Sequence, residues 1–221
     1  MQHLSLIQTI AVYALPLVLA ITLHEAAHGY VARYFGDQTA ARLGRVSLNP
    51  VRHVDPIGTV LLPLFILAAS KLFGASGFLF GWAKPVPVDF RALRNPRLHM
   101  VYVAAAGPGV NLLQAVAWGG VAKLAMALEP NLFTQPAYYM GVAGVTVNVM
   151  LAIVNLLPIL PLDGGRILAG LLPPGLSASY SRLERFGLPL LIGLIFLDSQ
   201  YRILDPLYRF TLGTVSQLFS F

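Results

Sequence analysis

The sequence predicts an all-α polytopic membrane protein. It should have about 5–6 transmembrane helices and a short re-entrant or β-strand element close to a cluster of polar residues. Three observations carry this reading. Hydrophobic residues make up 57% of the 221 and charged residues only 11%, against ~25% charged in a typical soluble domain. No Asp, Glu, Lys or Arg precedes Glu25, and none occurs between Glu129 and Asp163; a spanning helix needs roughly 20 apolar residues. The basic residues also collect in the segments between apolar runs. Arg33, Arg42, Arg45 and Arg52 follow the first run, Lys84, Arg91, Arg94 and Arg97 precede the third, and Arg166, Arg182 and Arg185 follow the fourth. The net charge of +6 is therefore a matter of membrane topology rather than of nucleic-acid binding.

The elements follow in order. Leu4 to about Phe35 is one apolar run, kept as a mature helix because a signal peptide would carry a basic n-region. Residues 36–56 form a loop in which Arg45-Val46-Ser47-Leu48 alternates like a short strand. Residues 57–70 are apolar but short for a span, and 81–97 are basic and proline-rich. In that second segment Pro85 and Pro87 alternate, which suits extended chain or an edge strand because each lacks an N–H. Runs 99–128 and 137–162 are spans, the first rich in small residues that allow close helix contact. A thirteen-residue apolar segment (186–198) and a mixed tail (203–221) complete the chain. It divides as a single domain over 1–221, with a core of about 4–170 and C-terminal helices over about 177–221.

If the three basic segments are cytoplasmic, the N-terminus is outside. Residues 57–83 must then leave and return on one side, as a re-entrant hairpin or as one span with an extended return. Irregular backbone at membrane depth is tolerated where it lines a cavity.

Within the first run stands His24-Glu25-Ala26-Ala27-His28. Residues i and i+4 share a helix face, so both imidazoles can reach one ion. Glu25 is turned ~100° from His24 and is free to address a water at that ion. Catalytic zinc usually takes three protein ligands, so a third is needed. The chain has nine acids and no cysteine, which excludes thiolate ligands, disulfides and a cysteine nucleophile. Asp163, alone at the end of the long uncharged run and toward the same membrane face, is the best third ligand. A charge at that depth is costly and normally functional. Asp198 is the reserve.

His24-Glu25-Ala26-Ala27-His28 together with "NLLPILPLDG" (155–164) resembles the site-2 proteases, the intramembrane zinc metalloproteases, with the family's Asn-to-Asp spacing kept between Asn155 and Asp163. "GPGVN" (107–111) looks like the motif on the helix between them, and "GWAKPVPVDF" (81–90) is similar to the small subfamily without a PDZ domain. The resemblance covers about residues 15–170. It implies one Zn2+ per chain bound by His24, His28 and Asp163, Glu25 as catalytic base and acid, and Asn155 holding substrate or stabilising the oxyanion. It also implies hydrolysis of peptide bonds in transmembrane segments of membrane-protein substrates, in the lipid bilayer of a bacterial or archaeal cell, with the active site toward the cytoplasm. His53, near Asp55 in "NPVRHVDP", is a further polar candidate on that side. Asn111 and Asn148 are expected to serve packing. The edges at 42–48 or 84–88 could hold an extended substrate by strand addition.

Two other readings compete. "GASG" (74–77) has the form of a rhomboid-type serine motif, but a serine nucleophile needs a histidine base nearby. Only His99, at the mouth of a span, follows it. A zinc transporter or an inactive metal-binding scaffold would also place His and acid in spans. A transporter should spread them over several spans with repeat symmetry, and this chain has one tight cluster.

Overall fold

The computed structural model describes residues 4–61, 65 and 84–219. Helix α1 (Leu6–Tyr34) opens on a capping box, Ser5 Oγ accepting from the Gln8 N–H while Gln8 Oε1 accepts from the Ser5 N–H. It ends at a turn in which Gly36 takes φ +112°, a conformation that favours glycine. A short α2 (Thr39–Arg42) follows. Asn95 then caps α3 (Pro96–Met126), with proline at the first helical position, where no N–H is missed. Helices α4 (Thr134–Leu156), α5 (Asp163–Leu171), α6 (Pro174–Ser181), α7 (Gly187–Tyr201) and α8 (Asp205–Phe219) complete the described chain.

Among the described residues three helices are long and apolar enough to cross a membrane: Ile7–Tyr34, Pro96–Met126 and Thr134–Leu156. At ~1.5 Å per residue they run about 35–46 Å, beyond the ~30 Å hydrocarbon core. A fourth crossing is available if Pro174–Tyr201 and Asp205–Phe219, bent by 79°, act as one broken span. The described residues thus carry three or four candidate spans where five to six were expected. At the C-terminus α7 and α8 have 15 residues each, about 22 Å and too short to cross alone. Their break is built by Arg202, left-handed at φ 52°, and by Asp198, whose carboxylate accepts the Leu204 N–H at 2.6 Å. Asp198 is therefore engaged at a helix junction, away from the histidines.

The expected strand at 45–48 is irregular backbone, and residues 84–88 carry no regular secondary structure. The expected re-entrant segment 57–83 lies mostly outside the described residues, as does the GASG stretch at 74–77; only a π-helical turn at Pro56–Leu61 and residue 65 are described.

Helix α3 is the hub, packing on α4, α1 and α5, with α8 returning against α3 and α4. Its contacts are made of small side chains. Ala20, Ala115, Ala122, Ala143 and Ala152 are fully buried, while Ile7, Leu113, Leu124, Phe196 and Phe210 are 65–80% exposed. A core of small residues under a large apolar exterior is the arrangement expected where lipid solvates the outside and close backbone approach supplies the packing. A Cβ at Gly144 would stand 2.2 Å from the Trp118 ring, and one at Gly141 would stand 2.6 Å from the Ala122 backbone. These two glycines set the α3–α4 distance.

Candidate metal centre

His24 and His28 stand one turn apart on α1, 8% and 9% exposed, with rings at 88° to one another. Asp163, equally buried, reaches them from the start of α5. The distance between the two Nε2 atoms is 3.1 Å, and Asp163 Oδ2 lies 3.3 and 3.4 Å from them. Gly164 and Gly165 make that approach possible. A Cβ at either would fall 2.1 Å from Leu156 O or 2.5 Å from Leu160 N, so only a bare backbone can nest there.

The hydrogen bonds behind the rings decide what the ring faces present. Asn111 directs its amide nitrogen at two acceptors, Ala20 O (3.2 Å) and Asn148 Oδ1 (2.8 Å). Its Oδ1 is thereby turned to His24 Nδ1 at 2.5 Å, which must donate. His28 Nδ1 likewise donates to Val103 O at 2.7 Å. A neutral imidazole protonated at Nδ1 carries a lone pair at Nε2. With both rings neutral, two lone pairs and a carboxylate oxygen converge, and Asp163 Oδ2 is buried without a hydrogen-bond partner. Such a cluster is repulsive unless a cation joins it. Tetrahedral ligands at ~2.0–2.1 Å from zinc sit roughly 3.3–3.4 Å apart, and the three separations here are 3.1–3.4 Å. The donor set, its spacing and the outer hydrogen bonds that orient it all fit zinc.

Gly107 on α3 makes room for the rings, since a Cβ there would lie 2.6 Å from both. Beside the cluster is a cavity of about 160 Å³ whose walls include Glu25, Pro85, Val86, Val88, Met100, Val103, Asn155, Leu162 and Arg166. Glu25 enters from the neighbouring position on α1, and its Oε2 accepts the Val86 N–H at 2.7 Å. Asn155 lines the cavity from α4 with one amide hydrogen given to Leu151 O (3.0 Å).

His53 is not in the cavity. It is 2% exposed and its Nε2–H donates to Ser47 O at 2.8 Å, while its carbonyl accepts the Lys84 N–H at 2.9 Å. His99 stacks on Phe35 and accepts the Asn95 N–H. The expectation that Asn111 and Asn148 only pack helices together is too narrow: Asn111 orients His24, and Asn148 orients Asn111. The signal was present in GPGVN, where Gly107 and Asn111 are one turn apart and both face α1. Sequence reasoning also missed Arg45 and the Val86 amide, because a backbone donor leaves no mark in residue identity.

The backbone of 84–86 is mostly spent. The Lys84 N–H goes to His53 O, Lys84 O and Pro85 O accept from Arg45, and the Val86 N–H goes to Glu25.

The profile described as Peptidase family M50 matches residues 119–194. Among relatives named as candidate zinc metalloproteases, YwhC of Bacillus subtilis is 36% identical over 209 residues, 92% of this chain and 89% of its own. Rip2 of Mycolicibacterium smegmatis is 28% identical over 178 residues, 80% of this chain and 64% of its own. Rip2 of Mycobacterium tuberculosis is 30% identical over 180 residues, covering 79% and 62%. The chain thus spans under two thirds of the Rip2 proteins. No solved structure matches it.

Proposed function

Because this chain belongs to peptidase family M50, the site-2 protease family, and is an intramembrane zinc metalloprotease, we propose that His24, His28 and Asp163 hold its zinc and that Glu25 is its general base and acid. The observation that carries the ligand assignment is the meeting of two Nε2 lone pairs and one buried carboxylate oxygen at 3.1–3.4 Å. Bound zinc lowers the pKa of a coordinated water toward ~7 and polarises the scissile carbonyl.

The remaining chemistry falls to the protein's own groups. With Oε2 occupied by the Val86 amide, Glu25 offers Oε1 to take the water's proton and later to deliver it to the leaving amine. The Asn155 amide hydrogen that is not given to Leu151 is available to a developing oxyanion, a contribution of about 3 kcal/mol where the geometry is good. Pro85, Val86, Val88, Met100 and Leu162 form the apolar part of the cavity wall and suit an apolar stretch of extended substrate.

The substrate class is a peptide bond within or near a transmembrane segment, and the protein works as one domain, 1–221. Its N-terminus lies outside and the site faces the cytoplasm of a bacterial or archaeal cell, a reading supported by the eleven Lys and Arg gathered in three segments. His53 acts as structural support behind residues 84–86.

Zinc per chain, measured by elemental analysis of detergent-purified protein without chelators, tests this together with cleavage of a membrane-spanning peptide. Wild type should hold about one zinc, Glu25→Gln should keep it and lose cleavage by ~10²–10⁴-fold, and Asp163→Asn should bind it weakly. A wild type without zinc, or a Glu25→Gln enzyme that cleaves normally, would overturn the assignment.

A further inference from the structure

Glu25 is held by an amide 61 positions away in sequence, so what fixes that amide fixes the carboxylate. Val86 stands between Pro85 and Pro87, neither of which has an N–H, and it supplies the one backbone donor of this three-residue stretch. Its N–H belongs to the same peptide group as Pro85 C=O. A trans peptide is planar, with N–H and C=O pointing to opposite sides. Arg45 Nη2 donates to that carbonyl at 3.2 Å and to Lys84 O at 2.6 Å. The guanidinium therefore grips one side of the peptide whose other side faces Glu25, and a cation on the carbonyl strengthens the amide as a donor.

The arrangement is costly for a mere loop contact. Arg45 is 8% exposed, its Nε has no hydrogen-bond partner, and it forms no ion pair among the described residues. A buried charge without a carboxylate is normally avoided. His53 braces the same peptide run from behind, its carbonyl on the Lys84 N–H and its ring on Ser47 O, which joins loop 36–53 to residues 84–86.

We propose that Arg45 is a positioning residue for Glu25, acting through the Pro85–Val86 peptide group. This rests on the reading of Glu25 as the base. Arg45 does not line the cavity beside the cluster; it sets which carboxylate oxygen is free and where that oxygen points.

The test is a double-mutant cycle of Arg45→Met and Val86→Pro. A membrane-spanning peptide bearing a fluorophore and quencher serves as substrate in detergent, with kcat and KM resolved and zinc per chain measured alongside. Each single variant should lose kcat by ~10–100-fold, with KM within about twofold of wild type and zinc retained. The double variant should be no slower than the worse single, because both changes remove one interaction. Normal kcat in Arg45→Met, losses that multiply in the double variant, a loss carried by KM, or loss of zinc would each overturn the proposal. Glu25→Gln in the same assay separates the two readings. If it cleaves normally, the assignment of the base falls. If it is inactive while Arg45→Met is normal, only the positioning role falls.

Discussion

Gly107→Ala is the most discriminating perturbation of the metal centre, since it changes no ligand and no hydrogen-bonding group. The added methyl would stand 2.6 Å from His24 Cε1 and from His28 Cε1 and Nε2, whereas ordinary contact begins at 3.4 Å. The rings must then withdraw from α3 by about 0.8 Å, or α1 must move as a body. Withdrawal has a specific penalty because both Nδ1 acceptors, Asn111 Oδ1 and Val103 O, sit on α3 as well. The bonds of 2.5 and 2.7 Å would stretch to or beyond the ~3.2 Å limit of good geometry. Overpacking of this kind costs ~1–3 kcal/mol, with tenfold in affinity for each ~1.4 kcal/mol. Zinc affinity should therefore fall on the order of tenfold to a hundredfold, measured by competition with a chelator of known affinity. Gly109→Ala is the control: nothing lies within 4 Å of its Cβ, and alanine is favoured over glycine in a helix by ~1 kcal/mol. That variant should bind zinc normally and unfold no more easily than wild type. Normal zinc affinity in Gly107→Ala, or equal losses in both variants, would refute the reasoning.

Two further outcomes follow from the same geometry. Asn111→Ala removes the acceptor for His24 Nδ1 and the donor for Ala20 O and Asn148 Oδ1. Zinc affinity should fall by ~10–100-fold and stability by ~1–3 kcal/mol, read by chelator titration and thermal unfolding; an unchanged affinity would detach Asn111 from the metal. Gly164→Ala places a methyl 2.1 Å from Leu156 O and 2.3 Å from its carbon, against backbone that cannot turn aside. It should displace Asp163, lowering zinc content and unfolding temperature together, while Gly175→Ala, with nothing within 4 Å, should do neither.

Much of the site was legible in residue identity. His24 and His28 lie at helical spacing, and a lone aspartate after thirty-three uncharged residues is conspicuous because charge is costly in lipid. The family motifs at 24–28 and 155–164 named the ligand set and the base. At the C-terminus, apolar composition does not reveal that the chain breaks at Arg202 into two 15-residue helices. Alternation at 45–48 suggested a strand, but hydrogen bonding to Ser47 O and from Arg45 turns this backbone toward His53 and residues 84–85 instead.

The sequence by itself pointed to membrane residence and put forward His24, Glu25, His28 and Asp163 as the proposed site, with the class of chemistry coming from the family motifs. The spacing and the energetics of burying charge act on each segment separately. Only the tertiary structure decided which nitrogen of each histidine faces the cluster, what holds Glu25, and that His53 stands behind the cavity wall and not in it. Each depends on backbone carbonyls and amides brought together from distant segments: Val103 O, Ala20 O, Pro85 O and the Val86 N–H. Every residue except proline carries such groups, so they acquire identity only through the fold that aims them.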